Sequence, residues 1–183
     1  NPKASLDLQT NTSNEIGVAE SVCEPLIRFN ENLDMEPVLL TKMPDISADG
    51  LTYTFELKEK LPTHDGGNLT ADDVKYTFTR MFLPETKNPS TNVYDTIVGA
   101  KDVMEGKTTE LAGLTVQDDR HFTMRLSEVT AVFLPTLTEF YALIYPRKAC
   151  EAAGDKWGTG TDFVGTGPFK PTAESATGLT LET

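Results

Sequence analysis

Apolar and polar residues alternate most clearly in Leu51-Thr52-Tyr53-Thr54-Phe55-Glu56-Leu57-Lys58. Leu51, Tyr53, Phe55 and Leu57 fall on one face of a strand, with polar residues between them. Before this strand, Ser47-Ala48-Asp49-Gly50 has hairpin-turn chemistry. The run from Leu39 to Ile46 supplies the preceding extended arm, with Pro44 marking an edge. After it, Asp65-Gly66-Gly67 turns the chain toward Leu69-Thr70-Ala71-Asp72-Asp73-Val74. Thr70 reads as a helix N-cap, Thr-x-x-Asp approximates a capping box, and Leu69 and Val74 sit where a hydrophobic staple lies. Val74, Thr77, Phe78, Met81 and Phe82 then form a stripe at helical spacing, which Pro84 ends.

The same reading places shorter elements around this centre. Residues 3–10 read as a short strand. A helix follows from about Glu15 to Cys23, capped by Ser13 or Asn14 and stopped by Pro25, then a strand at Leu26–Phe29. Pro84 to Ser90 reads as a polar loop. Ile97, Ala100, Val103 and Met104 predict a short helix closed by Gly106. Leu114–Val116 and Phe122–Leu126 predict a hairpin about Asp118-Asp119-Arg120. Ala131–Leu137 predicts a helix, Leu143–Pro146 a strand and Arg147–Gly154 one or two helical turns. Gly165-Thr166-Gly167-Pro168 turns into a further strand, and Leu179–Glu182 alternates up to the last residue. The fold class is therefore mixed α/β with antiparallel hairpins.

Composition narrows the function. The chain has 183 residues and 16 Lys plus Arg against 28 Asp plus Glu, a net charge of −12. A pI near 4.5 argues against nucleic-acid binding. No run approaches the ~20 apolar residues of a membrane-spanning helix. With no initiator Met or signal-type leader, and with the alternation reaching Thr183, the expectation is a piece of a longer chain. Cys23 and Cys150 are far apart and outside any metal-ligand spacing. One disulfide closing a long loop and two separate buried thiols both remain open.

Candidate chemistry is sparse. His64 and His121 are the only histidines, and neither has a second ligand at metal spacing. His64 reads as a turn residue and His121 as a surface side chain. Asp72 and Asp73 are neighbours on a helix and diverge, so they complement the helix dipole rather than work as an acid/base pair. Gly165-Thr166-Gly167 lacks the residues of a phosphate loop and reads as a tight chain crossing. There is no G-x-S-x-G or S-x-x-K. No catalytic residue, metal site or cofactor is assigned. The polar run Thr10, Asn11, Thr12, Ser13, Asn14 precedes a helix N-terminus, whose free N–H groups suit an anion or a peptide carboxylate. Its alternative is a solvated connector. Tyr94, before Ile97, is a further candidate for lining a cleft.

Several blocks, taken in order, resemble one family. They are Leu51–Leu57, His64-Asp65-Gly66, Leu69–Val74 with Tyr76-Thr77-Phe78, Ile97–Ala100 with Glu105-Gly106-Lys107, and Val164–Phe169. Leu6-Asp7-Leu8 resembles the family's Leu-Asp-Pro with the Pro lost, and Phe169 stands for its usual Tyr. The sequence is similar to the extracellular solute-binding proteins of family 5, the peptide, dipeptide and nickel receptors of ABC importers. The resemblance implies a periplasmic-binding-protein type II-like fold, present as a small lobe plus part of a large lobe. Residues 1–35 would begin the large lobe, 36–163 form the small lobe and 164–183 return to the large one. It implies that Thr10 to Asn14 contact the ligand's main chain. It also implies a peptide or other small solute as ligand and an ABC permease as partner. The setting would be extracytoplasmic, periplasmic or a cell-surface lipoprotein, with membrane association only through an upstream anchor absent from this chain. No enzymatic activity is implied. A docking module without small-ligand binding of its own is the alternative function.

Overall fold

The computed structural model describes residues 5–10, 15–175 and 178–183. In chain order the elements are α1 (Ile16–Val22), β1 (Ile27–Phe29), β2 (Met35–Pro37), β3 (Asp45–Ile46), β4 (Thr52–Glu56), α2 (Ala71–Phe82) and α3 (Ala100–Met104). Then follow β5 (Leu114–Val116), β6 (His121–Arg125), α4 (Phe133–Thr136), α5 (Arg147–Ala153), β7 (Lys170–Glu174) and β8 (Leu179–Glu182). The central sheet is antiparallel in the order β3-β4-β6-β5. Register follows the alternation: Tyr53 lies opposite Met124 and Phe55 opposite Phe122, and all four are buried. The Phe55 and Phe122 rings stack with centroids 4.8 Å apart.

Helix α2 covers this apolar face. The Asp73 carboxylate accepts the Thr70 N–H at 2.7 Å and the Thr70 hydroxyl at 3.0 Å, satisfying the helix start. Its other oxygen accepts the Arg147 N–H at 2.7 Å, so one side chain ties the starts of α2 and α5 together. Val74, Phe78, Met81 and Phe82 enter a first hydrophobic cluster with the sheet. A second cluster holds Leu6, Leu8, Ala19, Val22, Cys23, Leu143, Tyr145, Cys150, Trp157 and Phe163, with Leu179 and Leu181 packed against it. The clusters meet along Ala142–Tyr145. Ala142 and Ile144 point into the first, while Leu143 and Tyr145 point into the second.

Local expectations and structure differ at five places. Residues 5–10 form a turn, not a strand, because the Asp7 carboxylate accepts the Gln9 N–H and the Asp7 carbonyl accepts the Thr10 N–H. Leu143–Pro146 is extended but has only an isolated bridge, Pro25 to Leu143. Its N–H groups go instead to the Glu24 carbonyl (Ile144) and the Thr77 hydroxyl (Tyr145). The helix expected over 131–137 shortens to α4, and the arm before Ser47 contributes only β3. β2 is an addition that its sequence, Met-Glu-Pro, does not announce; it pairs with β1. β8 pairs antiparallel with β7. The cap expected from Ser13 or Asn14 lies outside the described residues, and Glu15 occupies the cap position.

The Gly165-Thr166-Gly167 crossing is sterically required. A Cβ on Gly165 would sit 2.1 Å from the Val22 carbonyl oxygen, and one on Gly167 would sit 2.4 Å from the Ser21 oxygen. The backbone is held there by Gly167 N–H to Val22 at 2.8 Å and Phe169 N–H to Ser21 at 3.1 Å. Gly165→Ala is expected to destabilise the chain by about 3 kcal/mol, read as a lowered urea midpoint, because the obstructing atom is backbone. Both cysteines are free and buried, and burial first of all pushes both thiols upward in pKa. Ellman's reagent at pH 8 should therefore label neither in the folded chain and both in urea; fast native labelling would contradict this packing.

Candidate functional site

The polar groups of the turn at residues 5–10 are locked between the two clusters. Leu6 and Leu8 point into the second cluster, while Asp7 and Gln9 are 2% and 0% exposed. A buried carboxylate needs a cation and further donors to offset its lost hydration. Arg80, on α2, supplies both prongs of its guanidinium. Nη2 lies 2.6 Å from Asp7 Oδ2 and Nη1 lies 3.2 Å from Oδ1. Nη1 also donates to Gln9 Oε1 at 2.7 Å. Gln9 in turn donates through Nε2 to the Thr77 carbonyl at 3.0 Å.

Tyr145 completes the arrangement. Its hydroxyl oxygen accepts the Leu8 N–H at 3.1 Å, and its own N–H donates to Thr77 Oγ1 at 2.9 Å. The Arg80 guanidinium lies 6.0 Å from the Tyr145 ring centroid. Burial opposes the charge on Arg80, but the Asp7 hydrogen bond and charge outweigh it, and the guanidinium pKa is raised. Burial, then the Asp7 charge, raises the Tyr145 phenol, so it stays neutral.

Thr10 sits at the exposed end of this network. Its N–H and hydroxyl both donate to the Asp7 carbonyl, at 3.1 Å and 3.0 Å. It borders an open cleft of about 590 Å³, together with Asp7, Tyr76, Arg80 and Trp157. Asn11, Thr12, Ser13 and Asn14 lie outside the described residues. Tyr94 is a correction: it is fully buried, edge-on to Phe78 at 5.8 Å, with its hydroxyl donating to the Thr136 carbonyl at 2.9 Å. Its aromatic bulk serves the core, and it offers no surface to a cleft.

His64 holds a turn to the glycine crossing. Gly165 N–H donates to Nδ1 at 3.2 Å, which leaves the ring proton on Nε2 to donate to the Gly167 carbonyl at 2.8 Å. The His64 N–H also donates to the Gly165 carbonyl at 3.1 Å. His121 is partly exposed and lies 2.8 Å from the Asp118 carboxylate. Asp72 and Asp73 occupy the first turn of α2. Among the described residues, no group of three or more His, Cys, Asp or Glu is placed to hold a metal ion.

The sequence reading missed the Asp7–Arg80–Gln9–Thr77–Tyr145 network. Its partners are 68 to 73 residues apart in sequence, beyond the reach of local periodicity. The available signals were a carboxylate flanked by two leucines and an arginine following Phe78 in an otherwise core-facing stretch.

Comparison with known proteins gives a consistent family. Residues 34–182 match the model of the bacterial extracellular solute-binding proteins, family 5. The chain is 34% identical over 171 residues to a dipeptide-binding protein of Lactococcus lactis, covering 91% of this chain and 30% of that protein. It is 30% identical over 176 residues to the oligopeptide-binding protein OppA of Bacillus subtilis, covering 94% of this chain and 32% of that one. It superimposes on a periplasmic oligopeptide-binding protein of Borrelia burgdorferi with a TM-score of 0.87 and 26% identity, over 97% of this chain and 36% of that one. The fold is the type II-like fold of periplasmic peptide-binding proteins. The chain spans about a third of the length of the curated relatives it matches.

Arg80→Met leaves the Asp7 carboxylate buried without its cation and is expected to cost about 3–5 kcal/mol in urea unfolding. Pairing it with Asp7→Leu removes both charges and should recover most of that loss. A wild-type midpoint for Arg80→Met alone would show that the pair does not set stability.

Proposed function

Because the chain belongs to the bacterial extracellular solute-binding proteins of family 5, we propose that it forms part of an extracytoplasmic receptor. That receptor captures peptide-like solutes and hands them to an ABC importer. The observation that carries this reading is the family match over residues 34–182 in a chain that also superimposes on a periplasmic oligopeptide-binding protein. Capture and release need no bond-making, and the working motion is closure of lobes about the ligand.

In this reading the second hydrophobic cluster is the large-lobe portion and the first is the small lobe. The clusters part near residues 23–26 and again along 142–145. Packing thus favours lobe boundaries some ten to twenty residues N-terminal of the expected 35/36 and 163/164. The ligand-side residues are Thr10 and the run Asn11, Thr12, Ser13 and Asn14. Thr10 is supported by its exposure at the mouth of the cleft and by its fixed backbone. Peptide main chain offers donors and acceptors at regular spacing, which hydroxyls, amides and free N–H groups match. Localisation outside the cytoplasm, and a permease as partner, follow from the same reading.

Calorimetry tests it. The full-length protein from the parent gene should bind members of a mixture of short synthetic peptides at micromolar or tighter Kd. The 183-residue chain alone should bind the same mixture at least about a hundredfold more weakly, since the facing lobe supplies the rest of the contacts. Equal binding by the short chain, or none by the full-length protein, would contradict the proposal.

A further inference from the structure

The hydrogen bonds at the cluster boundary assign Arg80 a role that its position on α2 does not announce. We propose that Arg80 is a positioning residue for ligand capture, fixing Thr10 through Asp7 and Gln9; this rests on the reading above that Thr10 faces the ligand.

Arg80 does not border Thr10 through any direct hydrogen bond. It acts through two residues, with one prong on the Asp7 carboxylate and a shared prong on Gln9 Oε1. Asp7 then holds Thr10 by its carbonyl, which accepts both the Thr10 N–H and the Thr10 hydroxyl. The Gln9 side chain, clamped between Arg80 and the Thr77 carbonyl, stops the turn from rotating about its own axis. Asp7 and Gln9 are buried and Arg80 is largely so, whereas Thr10 is exposed. The turn is therefore anchored on α2, and Thr10 is its residue that meets solvent. A planar fork is needed for this. The guanidinium reaches Asp7 and Gln9 at once, whereas a lysine ammonium is a single point that cannot span both in the same geometry.

Stability and positioning are separable because an apolar pair fills the same space without directional bonds. Asp7→Leu/Arg80→Met leaves no buried charge and should fold, yet it has nothing to orient the turn.

The test uses the full-length protein and a mixture of short synthetic peptides. Asp7→Leu/Arg80→Met, folded by circular dichroism, should bind about tenfold more weakly than wild type, the scale of one to two lost hydrogen bonds. Arg80→Lys should fall between the two. Thr10→Ala should weaken binding about tenfold in the wild-type background, but less than about twofold in the double variant, because its hydroxyl is no longer held in place. Independently of any ligand, amide exchange at Thr10 should speed up about tenfold or more in the double variant. Wild-type affinity in the double variant, or wild-type exchange at Thr10, would overturn the positioning role while leaving the receptor function intact. Absence of peptide binding by wild type, with exchange at Thr10 accelerated as expected, would instead overturn the receptor function and with it the ligand-side role of Thr10.

Discussion

The buried Asp7–Arg80 pair is the constraint on which the arrangement of this chain turns. An ion pair out of water contributes little by attraction alone, since desolvation of both ions opposes it. Here the desolvation is met bond by bond. The Asp7 carboxylate accepts both prongs of the guanidinium and the Gln9 N–H, and the Asp7 N–H donates to the Ser5 hydroxyl oxygen at 3.1 Å. Gln9 passes the connection to the α2 backbone and Tyr145 passes it to Leu8. Removing one member leaves the buried Asp7 carboxylate and Gln9 amide short of a partner. The exposed pairs, such as Arg28–Glu36 at 2.7 Å, Lys42–Asp45 at 2.6 Å and Arg147–Glu151 at 2.8 Å, lack this property. Water takes over when they break, so each contributes little.

A second connection works by shape. The glycine crossing lies so close to the end of α1 that the Gly167 and Phe169 N–H groups donate to the Val22 and Ser21 carbonyls. His64 closes the other side, using both ring nitrogens and its backbone. Lys170 adds a bond from Nζ to the His64 carbonyl at 3.0 Å. The two connections are chemically unlike. One depends on charge and hydrogen bonding in a buried seam, the other on the absence of a side chain. Together they fix both passages of the chain past the second cluster.

The elements legible in the sequence were those whose cause is local. Alternation in Leu51–Leu57 and in Phe122–Leu126 fixes face and register within a few residues, and β4 and β6 lie as expected. The Thr70–Asp73 start of α2 is likewise a short-range device. Residues 5–10 and Leu143–Pro146 looked like strands because their side chains alternate between environments. Alternation records which side of the chain is apolar; it does not record where the N–H groups go. In both segments they go to turn or side-chain acceptors rather than to a ladder. Tyr94 failed for the opposite reason. A tyrosine in a polar loop reads as exposed, but a carbonyl at Thr136, 42 residues on, satisfies its hydroxyl and lets the ring enter the core.

The position of the polar network also explains why the described residues form two apolar clusters rather than one. α2 is apolar toward the sheet through Val74, Phe78, Met81 and Phe82, but it turns Thr77 and Arg80 toward the N-terminal turn. Asp7 and Gln9 answer from that turn, and Tyr145 spans the gap with its N–H and hydroxyl. An uninterrupted apolar contact would let the N-terminal turn slide along α2 at small cost, because hydrophobic contact is non-directional. A seam of hydrogen bonds admits one registry, since any slide leaves buried donors and acceptors unpaired. Specificity of placement, rather than net stabilisation, is the physical reason to bury a carboxylate and a guanidinium here, and it is what holds an exposed threonine at a fixed point beside an open cleft.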